Sequence, residues 1–417
     1  MKKRFNKSLF FDILVIEKKI EKRVPMKKRI TELDISEKRV IIRCDFNVPM
    51  KDGNIVDDTR IVESLPTIRY AIEKGAKIIL LSHLGRVKTK EDLEKNTLAP
   101  VAKRLGELLN HPVMFINRTR SETLISTVSA MKPGDIILIE NTRFEDLEGK
   151  KESSNDEELA AYWASLGDVF INDAFGTIHR AHASNVGIGS HLPNAVGLLV
   201  EKELNALSKL DEPERPYIVI LGGSKVSDKI GVINNLVEKA DKIIIGGGMA
   251  FTFLKAQNYN IGKSIVDEES IPYCQEVMEK YKDKILLPVD VQAAVDLETK
   301  SSRVIPLKFL KEDEMGLDIG IDSVNNIQEV LKTAKTIVWN GPLGVYENPK
   351  YCYGTEEILR FVTENNIETI LGGGDIVAAA SKLGYKEKVS HASTGGGATL
   401  EYLEGKKLPG LEVIQES

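Results

Sequence analysis

Tyr217-Ile218-Val219-Ile220-Leu221-Gly222-Gly223-Ser224-Lys225-Val226-Ser227-Asp228-Lys229 is five apolar residues, two glycines and a polar helix start, in that order. An apolar run this short, rich in β-branched residues and stopped by glycine, reads as a strand buried on both faces, the kind found in parallel sheets. Working outward, the same unit recurs. Lys242–Ile245, Ile285–Val289, Thr336–Trp339 and Glu368–Leu371 are further strand candidates, and Ile230, Ile233, Leu236, Val237 and Ala240 share one helical face between two of them. Towards the N-terminus, Val40–Arg43, Lys77–Leu81, Asp135–Ile139 and Asp168–Ile171 alternate with helical patterns such as Ile61, Val62, Leu65, Ile68 and Ile72. The alternation predicts an α/β fold made of two Rossmann-like parallel-sheet halves.

Ligands of parallel α/β sheets bind where strands end, so the residues after each run carry the functional signal. In the first half those residues are Arg43-Cys44-Asp45-Phe46-Asn47, Ser82-His83-Leu84-Gly85-Arg86, Glu140-Asn141-Thr142-Arg143 and Asn172-Asp173-Ala174-Phe175, the last running on to His179-Arg180-Ala181-His182. Arg60 opens the helix beyond the first of them. Arginines converging from several loops suit a small, highly anionic ligand, because the guanidinium fork matches carboxylate and phosphate oxygens. In the second half the strands open instead into Gly222-Gly223-Ser224-Lys225, Gly246-Gly247-Gly248 and Gly372-Gly373-Gly374-Asp375, with Gly395-Gly396-Gly397 later. Glycine permits close backbone approach, and a helix starting directly afterwards aims free N–H groups at phosphate. Lys225 and Lys229 are four apart on that helix start, where a solvated helix end and a phosphate-facing pair are equally good readings. Neither the P-loop lysine motif nor G-x-G-x-x-G occurs. Trp339, Tyr346 and Phe251 read as core or pocket wall, and His179 with His182 make an incomplete metal set.

Composition narrows the classes. The chain has 417 residues, 42% hydrophobic and 29% charged, which is ample for large cores. Its formal net charge of −5 argues against a dedicated nucleic-acid binder. Cys44, Cys274 and Cys352 form no C-x-x-C pair, which fits a reducing cytoplasm. No uncharged apolar stretch reaches the ~18 residues of a membrane span. Residues 1–25 carry eight Lys or Arg and three acidic residues, so their net of +5 leaves −10 on the remainder. The expectation is an upstream extension without a role, since Met26 begins a second Met-Lys-Lys-Arg; a signal peptide is disfavoured by Asp12 and by Glu17-Lys18-Lys19 around the apolar run, and a surface-seeking amphipathic helix is the other alternative.

From Met26 onward the loop segments, together with Trp339-Asn340-Gly341-Pro342-Leu343-Gly344-Val345-Tyr346-Glu347 and Ser393-Thr394-Gly395-Gly396-Gly397, resemble those of the phosphoglycerate kinases in kind and in order. The resemblance implies two domains joined by a hinge, residues 26–200 with about 405–417 binding phosphoglycerate and 201–404 binding nucleotide, with the C-terminal segment returning to the first domain. It implies direct in-line transfer between 1,3-bisphosphoglycerate and ADP, with Mg²⁺ as cofactor, in a monomer without nucleic-acid or membrane partners. By the same resemblance, phosphoglycerate is held by Asp45, Asn47, Arg60, His83, Leu84, Gly85, Arg86, Arg143 and Arg180. The nucleotide falls to Gly223, Ser224, Lys225, Lys229, Gly247, Gly316, Asn340, Glu347, Gly372, Gly373, Gly374, Asp375 and Ile376, and Gly395, Gly396 and Gly397 form an anion-facing helix start. Arg60 and Lys225 are assigned to the transferring group and Asp375 to the metal. Ile376 stands where the family usually has Ser or Thr, leaving only its backbone N–H for phosphate; Val87 and Thr142 also depart from the family pattern without removing charge. A nicotinamide-dependent dehydrogenase lacks its fingerprint here, and a non-catalytic binding module does not explain two sites across one hinge.

Overall fold

The computed structural model describes residues 27–299 and 301–417; the basic segment, and with it the reading of residues 1–25, lies outside them. Two six-stranded parallel sheets dominate. The first runs, edge to edge, Met114–Ile116, Ile136–Ile139, Lys77–Leu81, Arg39–Cys44, Val169–Asp173 and Asn194–Val196. The second runs Ile285–Leu286, Lys242–Ile245, Tyr217–Leu221, Thr336–Asn340, Glu368–Leu371 and His391–Ala392. Both central strands are buried on both faces, as their uninterrupted apolar runs require: Ile41 packs with Ile79 and Phe170 on one side of the first sheet, Val40 and Ile42 with Ile78, Leu80 and Ile171 on the other.

Three edge strands have no counterpart in the sequence reading: Met114–Ile116, Asn194–Val196 and His391–Ala392 are only two or three residues long. One reading is corrected. The expected strand Ile285–Val289 stops at Leu286, because Pro288 has no N–H to give a ladder. The chain then turns into a separate three-stranded antiparallel sheet, Arg303–Pro306, Asp290–Ala294 and Met315–Ile319 in that order.

The last residues lie against the first sheet. Lys28 N donates to Gln415 O at 2.8 Å, Gln415 N to Asn194 Oδ1 at 2.8 Å, and Asn172 Nδ2 to Gly410 O at 3.3 Å. The passage between the sheets is the helix Leu198–Leu207. Asp173, fully buried at the end of its strand, accepts from Leu199 N at 3.0 Å and so holds the helix start, while Thr67 Oγ1 accepts from Leu198 N at 2.8 Å. On the same helix Glu203 reaches into the second sheet. Its Oε1 accepts from Thr394 N and Oγ1, each at 2.7 Å, and its Oε2 lies 2.8 Å from His391 Nε2. Burial raises the Glu203 carboxyl, but the His391 contact and the Thr394 hydrogen bonds outweigh it and leave the group below the usual carboxylate range.

Asp173 has the opposite balance: burial lifts it to about 7 against the pull of Thr67 and the helix N–H groups, and its Oδ2 has no hydrogen-bond partner. In the unfolded chain it ionises near its ordinary value of 3.8, so between that pH and about 7 the folded state keeps a proton that the unfolded state has released. Stability from this group is therefore full below about pH 4 and declines as pH rises to about 7. Asp173→Asn removes the decline, and the variant is expected to gain on the parent by up to about 1.4 kcal/mol per pH unit across that window. Urea unfolding at about pH 5 and about pH 8, either side of most of that window, measures it; parallel pH dependence in both proteins would contradict the assignment.

Candidate active site

The first-sheet strands deliver their terminal residues to one mouth. Arg60, in the first turn of the helix Thr59–Glu73, pairs with Asp45 Oδ2. Asp45 is itself buried, and its Oδ1 accepts from Asn47 N at 3.3 Å. Asn47 Oδ1 in turn accepts from Gly85 N at 2.8 Å, where a φ of +61° makes glycine the suitable residue. Asn141 Oδ1 accepts from Leu84 N at 3.2 Å and Arg143 N at 3.0 Å, which locks the Leu84-Gly85 and Arg143 loops together. Arg86 and Arg180 are exposed; the Arg86 carbonyl is held by Asn96 Nδ2 at 3.0 Å, and Arg180 Nε donates to His179 Nε2 at 3.1 Å.

These charges act on one another. Burial, then the charges of Arg43, Arg143, His182 and Arg180, push His83 well below the ordinary histidine range. Burial first, and then neighbouring arginines, take His182 to about 3 and His179 to about 4. All three imidazoles are thus neutral near pH 7, where each offers an N–H without adding charge. Arg143 is lowered by burial and by Arg180, and its Nε, like His179 Nδ1, is buried without a hydrogen-bond partner. Guanidinium groups crowded against neutral donors, with polar atoms left unpaired, call for an anion. Arg43 belongs to this cluster, a role that sequence reading misses: it sits inside the strand Arg39–Cys44 and is fully buried.

The second sheet builds a different surface. Gly222 N donates to Asn340 O at 2.8 Å, Gly223 N to Pro342 O at 3.1 Å and Gly247 N to Leu343 O at 3.0 Å, so the loops after three strands interlock through glycine backbone. Beside them lies a cavity of about 460 Å³ lined by Gly223, Ser224, Gly247, Gly316, Glu347 and Asp375, with Phe251 and Tyr346 in its wall. Gly316 packs against the Phe251 ring. Trp339 is fully buried core. Lys225 is exposed and Lys229 is half-buried, its ammonium lowered by burial against the opposing charges of Asp228 and Asp375. Neither lines the cavity, and neither do Asn340, Gly372, Gly373, Gly374 and Ile376. Asn340 Nδ2 is bonded to Gly372 O, which leaves its buried Oδ1 unpaired beside Gly373. The Ile376 side chain is fully buried among Ile244, Leu371 and Ala380, so only its N–H is turned to the start of the helix Gly374–Lys382. Lys263, Ile265, Pro288 and Leu297 also line the cavity; they come from irregular loops with no periodicity or motif to mark them.

The two surfaces approach each other at the fourth glycine run, Gly395-Gly396-Gly397. Gly395 packs on Phe175 and Gly397 lies beside His179 Nε2, and Thr394 shares a small crevice with Asp45, Arg60 and Gly176. Among the described residues no cluster of three or more His, Cys, Asp or Glu side chains is arranged to hold a metal. Asp375 and Glu347 are the exposed carboxylates at the cavity and Asp318 is buried in its wall, a sparse set that suits an ion carried in mainly by phosphate oxygens and water, as magnesium is.

The family model described as phosphoglycerate kinase matches residues 30–406. The chain belongs to the phosphoglycerate kinase family. It is 53% identical over 394 residues to the phosphoglycerate kinase of Macrococcus caseolyticus, covering 94% of this chain and 100% of that one. The enzyme of Enterococcus faecalis is also 53% identical over 394 residues, covering 94% and 99%. Among solved structures, phosphoglycerate kinase from Coxiella burnetii superposes with a TM-score of 0.84 at 41% identity, and that from Pyrococcus horikoshii with 0.81 at 31%, each covering 93% of this chain and 98% of the other. Membership makes the chain a phosphotransferase, with the family's exchange of a phosphoryl group between 1,3-bisphosphoglycerate and ADP in glycolysis as its reaction. No helix among the described residues is long and apolar enough to cross a membrane.

The glycines of this phosphoglycerate kinase fold are not equivalent. A methyl group on Gly222 would overlap the Pro342 carbonyl oxygen, whereas one on Gly374 meets nothing within 4 Å. Gly222→Ala should cost about 2 kcal/mol or more by forcing two strand ends apart, while Gly374→Ala should unfold close to the parent. Urea midpoints of both variants test the contrast, and equal midpoints would refute it.

Proposed function

We propose that the basic mouth of the first sheet binds phosphoglycerate, that the glycine-lined cavity of the second binds ADP-Mg, and that the reaction joins them across the crevice at Thr394. The observation that carries this reading is the crowded positive charge around Arg143 and His179, with polar atoms left unpaired, in one half and the glycine-walled cavity in the other. On this reading the functional units are residues 26–200 with about 405–417 and residues 201–404, and the protein works as a cytoplasmic monomer. Arg143, Arg180, Arg86 and His83 hold the phosphoglycerate end, with Asp45 and Asn47 orienting it. Ser224, Gly223, Gly247, Gly316, Glu347 and Asn340 hold the nucleotide, and the first N–H groups of the helix at Gly374 face its phosphates. Gly395 to Gly397 present a second set of N–H groups to the transferring group.

Phosphoryl transfer proceeds through a loose, metaphosphate-like group with in-line oxygens, and little covalent work falls to the protein. Arg60 stabilises the charge from the phosphoglycerate side, held in place by its pair with Asp45, and Lys225 does so from the nucleotide side. Asp375 is the carboxylate that would hold magnesium, which would supply positive charge to offset that of the nucleotide phosphates. Lys225 is exposed, so its role requires the two halves to close, which also excludes water from the acyl phosphate.

An ATP-forming assay with 1,3-bisphosphoglycerate and ADP-Mg tests the activity directly, and a purified, folded protein that forms no ATP would refute it. Arg60→Ala is expected to lower kcat by roughly 10³, the lower range of a supplied arginine charge, while ADP affinity stays near that of the parent. A variant with near-normal kcat would remove Arg60 from this role.

A further inference from the structure

Glu152 lies in the turn preceding the helix Glu157–Ser165 and is fully buried, although no part of the proposed chemistry uses it. Its carboxyl is doubly engaged by one residue: Oε1 accepts from Ser184 Oγ at 2.5 Å and Oε2 from Ser184 N at 2.9 Å. The backbone is tied to the same turn, since Ala183 N donates to Glu152 O at 3.0 Å. His182 Nδ1 is 3.7 Å from Oε1. A hydroxyl has one proton to give. With that proton committed to Glu152, the Ser184 oxygen presents its lone pairs elsewhere, and it accepts from Arg43 Nε at 2.7 Å.

The relay therefore has a fixed direction, from guanidinium to hydroxyl to carboxylate. Its far end is in the basic mouth. Arg43 Nη1 donates to Cys44 O, and Nη2 donates to His83 Nδ1 at 3.4 Å, which places the His83 proton on Nε2. Burial pushes Glu152 up and Arg43 down, and in each case the other's opposite charge is the next influence, working against it. A guanidinium without any exposure is costly unless a carboxylate compensates it, and Asp45, the other acid acting on Arg43, is already paired with Arg60. Arg43 in turn bears on His83, His182 and Arg143, all members of the anion cluster.

We propose that Glu152 is a positioning residue which, through the Ser184 hydroxyl, holds Arg43 as the fixed positive rear wall of the phosphoglycerate site and so sets affinity for that substrate. The inference rests on the proposed function and deepens it. Because Glu152 and Ser184 act in series on one guanidinium, losing either link should have the same effect as losing both.

Steady-state kinetics with 3-phosphoglycerate and ATP-Mg on the full chain test this, using Ser184→Ala, Glu152→Gln and the double variant. In each, KM for 3-phosphoglycerate is expected to rise about tenfold, as for loss of a charge-assisted hydrogen bond, while kcat and KM for ATP stay within about twofold. The double variant should match the single ones instead of multiplying their effects. An unchanged KM for 3-phosphoglycerate in Ser184→Ala overturns the inference, as do multiplicative effects or a parallel rise in KM for ATP, which would mark a structural role only. If Glu152→Gln does not fold, Ser184→Ala alone decides. A folded parent protein without activity sinks the proposed function, whereas an active parent with indistinguishable variants sinks this inference alone.

Discussion

The hydrogen bonds from Thr394 to Glu203, backed by the contact of Glu203 with His391, are the interaction on which the arrangement depends. Each sheet pairs its own strands, and one buried apolar cluster, from Ile41 and Phe170 through Val200 and Leu207 to Val219 and Ile370, joins the two. The helix Leu198–Leu207 links the two sheets, anchored at its start by Asp173 and Thr67 and gripping the second sheet through Glu203, while Gly395 on Phe175 and the returning C-terminal segment add further contacts. The gripped residue is the one that leads into Gly395-Gly396-Gly397. A polar anchor suits this place, because a few directional bonds fix an orientation that apolar packing alone leaves free to slide.

Electrostatics divides the work between the sheets. On the first, burial and neighbouring positive charge keep His83, His179 and His182 neutral, so the arginines supply the charge and the histidines supply shape and N–H groups. The acids of that mouth are each matched to one guanidinium, Asp45 to Arg60 directly and Glu152 to Arg43 by way of Ser184. The second sheet presents backbone instead of side-chain charge, which explains why its strand ends are glycine and why a methyl at Gly222 would strike the Pro342 carbonyl. An acidic chain thus carries one basic mouth, and the charge count of the whole says little about it.

Much of this is legible in the sequence. The central strands can be read because their apolar runs are uninterrupted, and the candidate site residues can be placed at strand ends because parallel sheets put all those ends on one edge. Short edge strands such as Asn194–Val196 and His391–Ala392 are not legible, since two or three residues carry no period. The antiparallel sheet that begins at Asp290 has no counterpart in the sequence reading, whose strand ends at Val289, and its contribution to the cavity goes unseen with it. Arg43 reads as the last residue of a strand about to open into a loop, whereas it is the fifth residue of a six-residue strand and fully buried, and no local pattern shows that burial.

By itself the sequence determined the layers, the strand ends that carry the candidate site residues and the division into an arginine-rich and a glycine-rich half, because these follow from local runs and from which residue types tolerate close backbone approach. Tertiary structure alone decided which arginines are buried and which exposed, that Ile376 turns its side chain into the core, and that Glu152 reaches Arg43 through Ser184. The last of these depends on a contact between residues 141 positions apart, Arg43 and Ser184, and no local pattern encodes where two such residues meet.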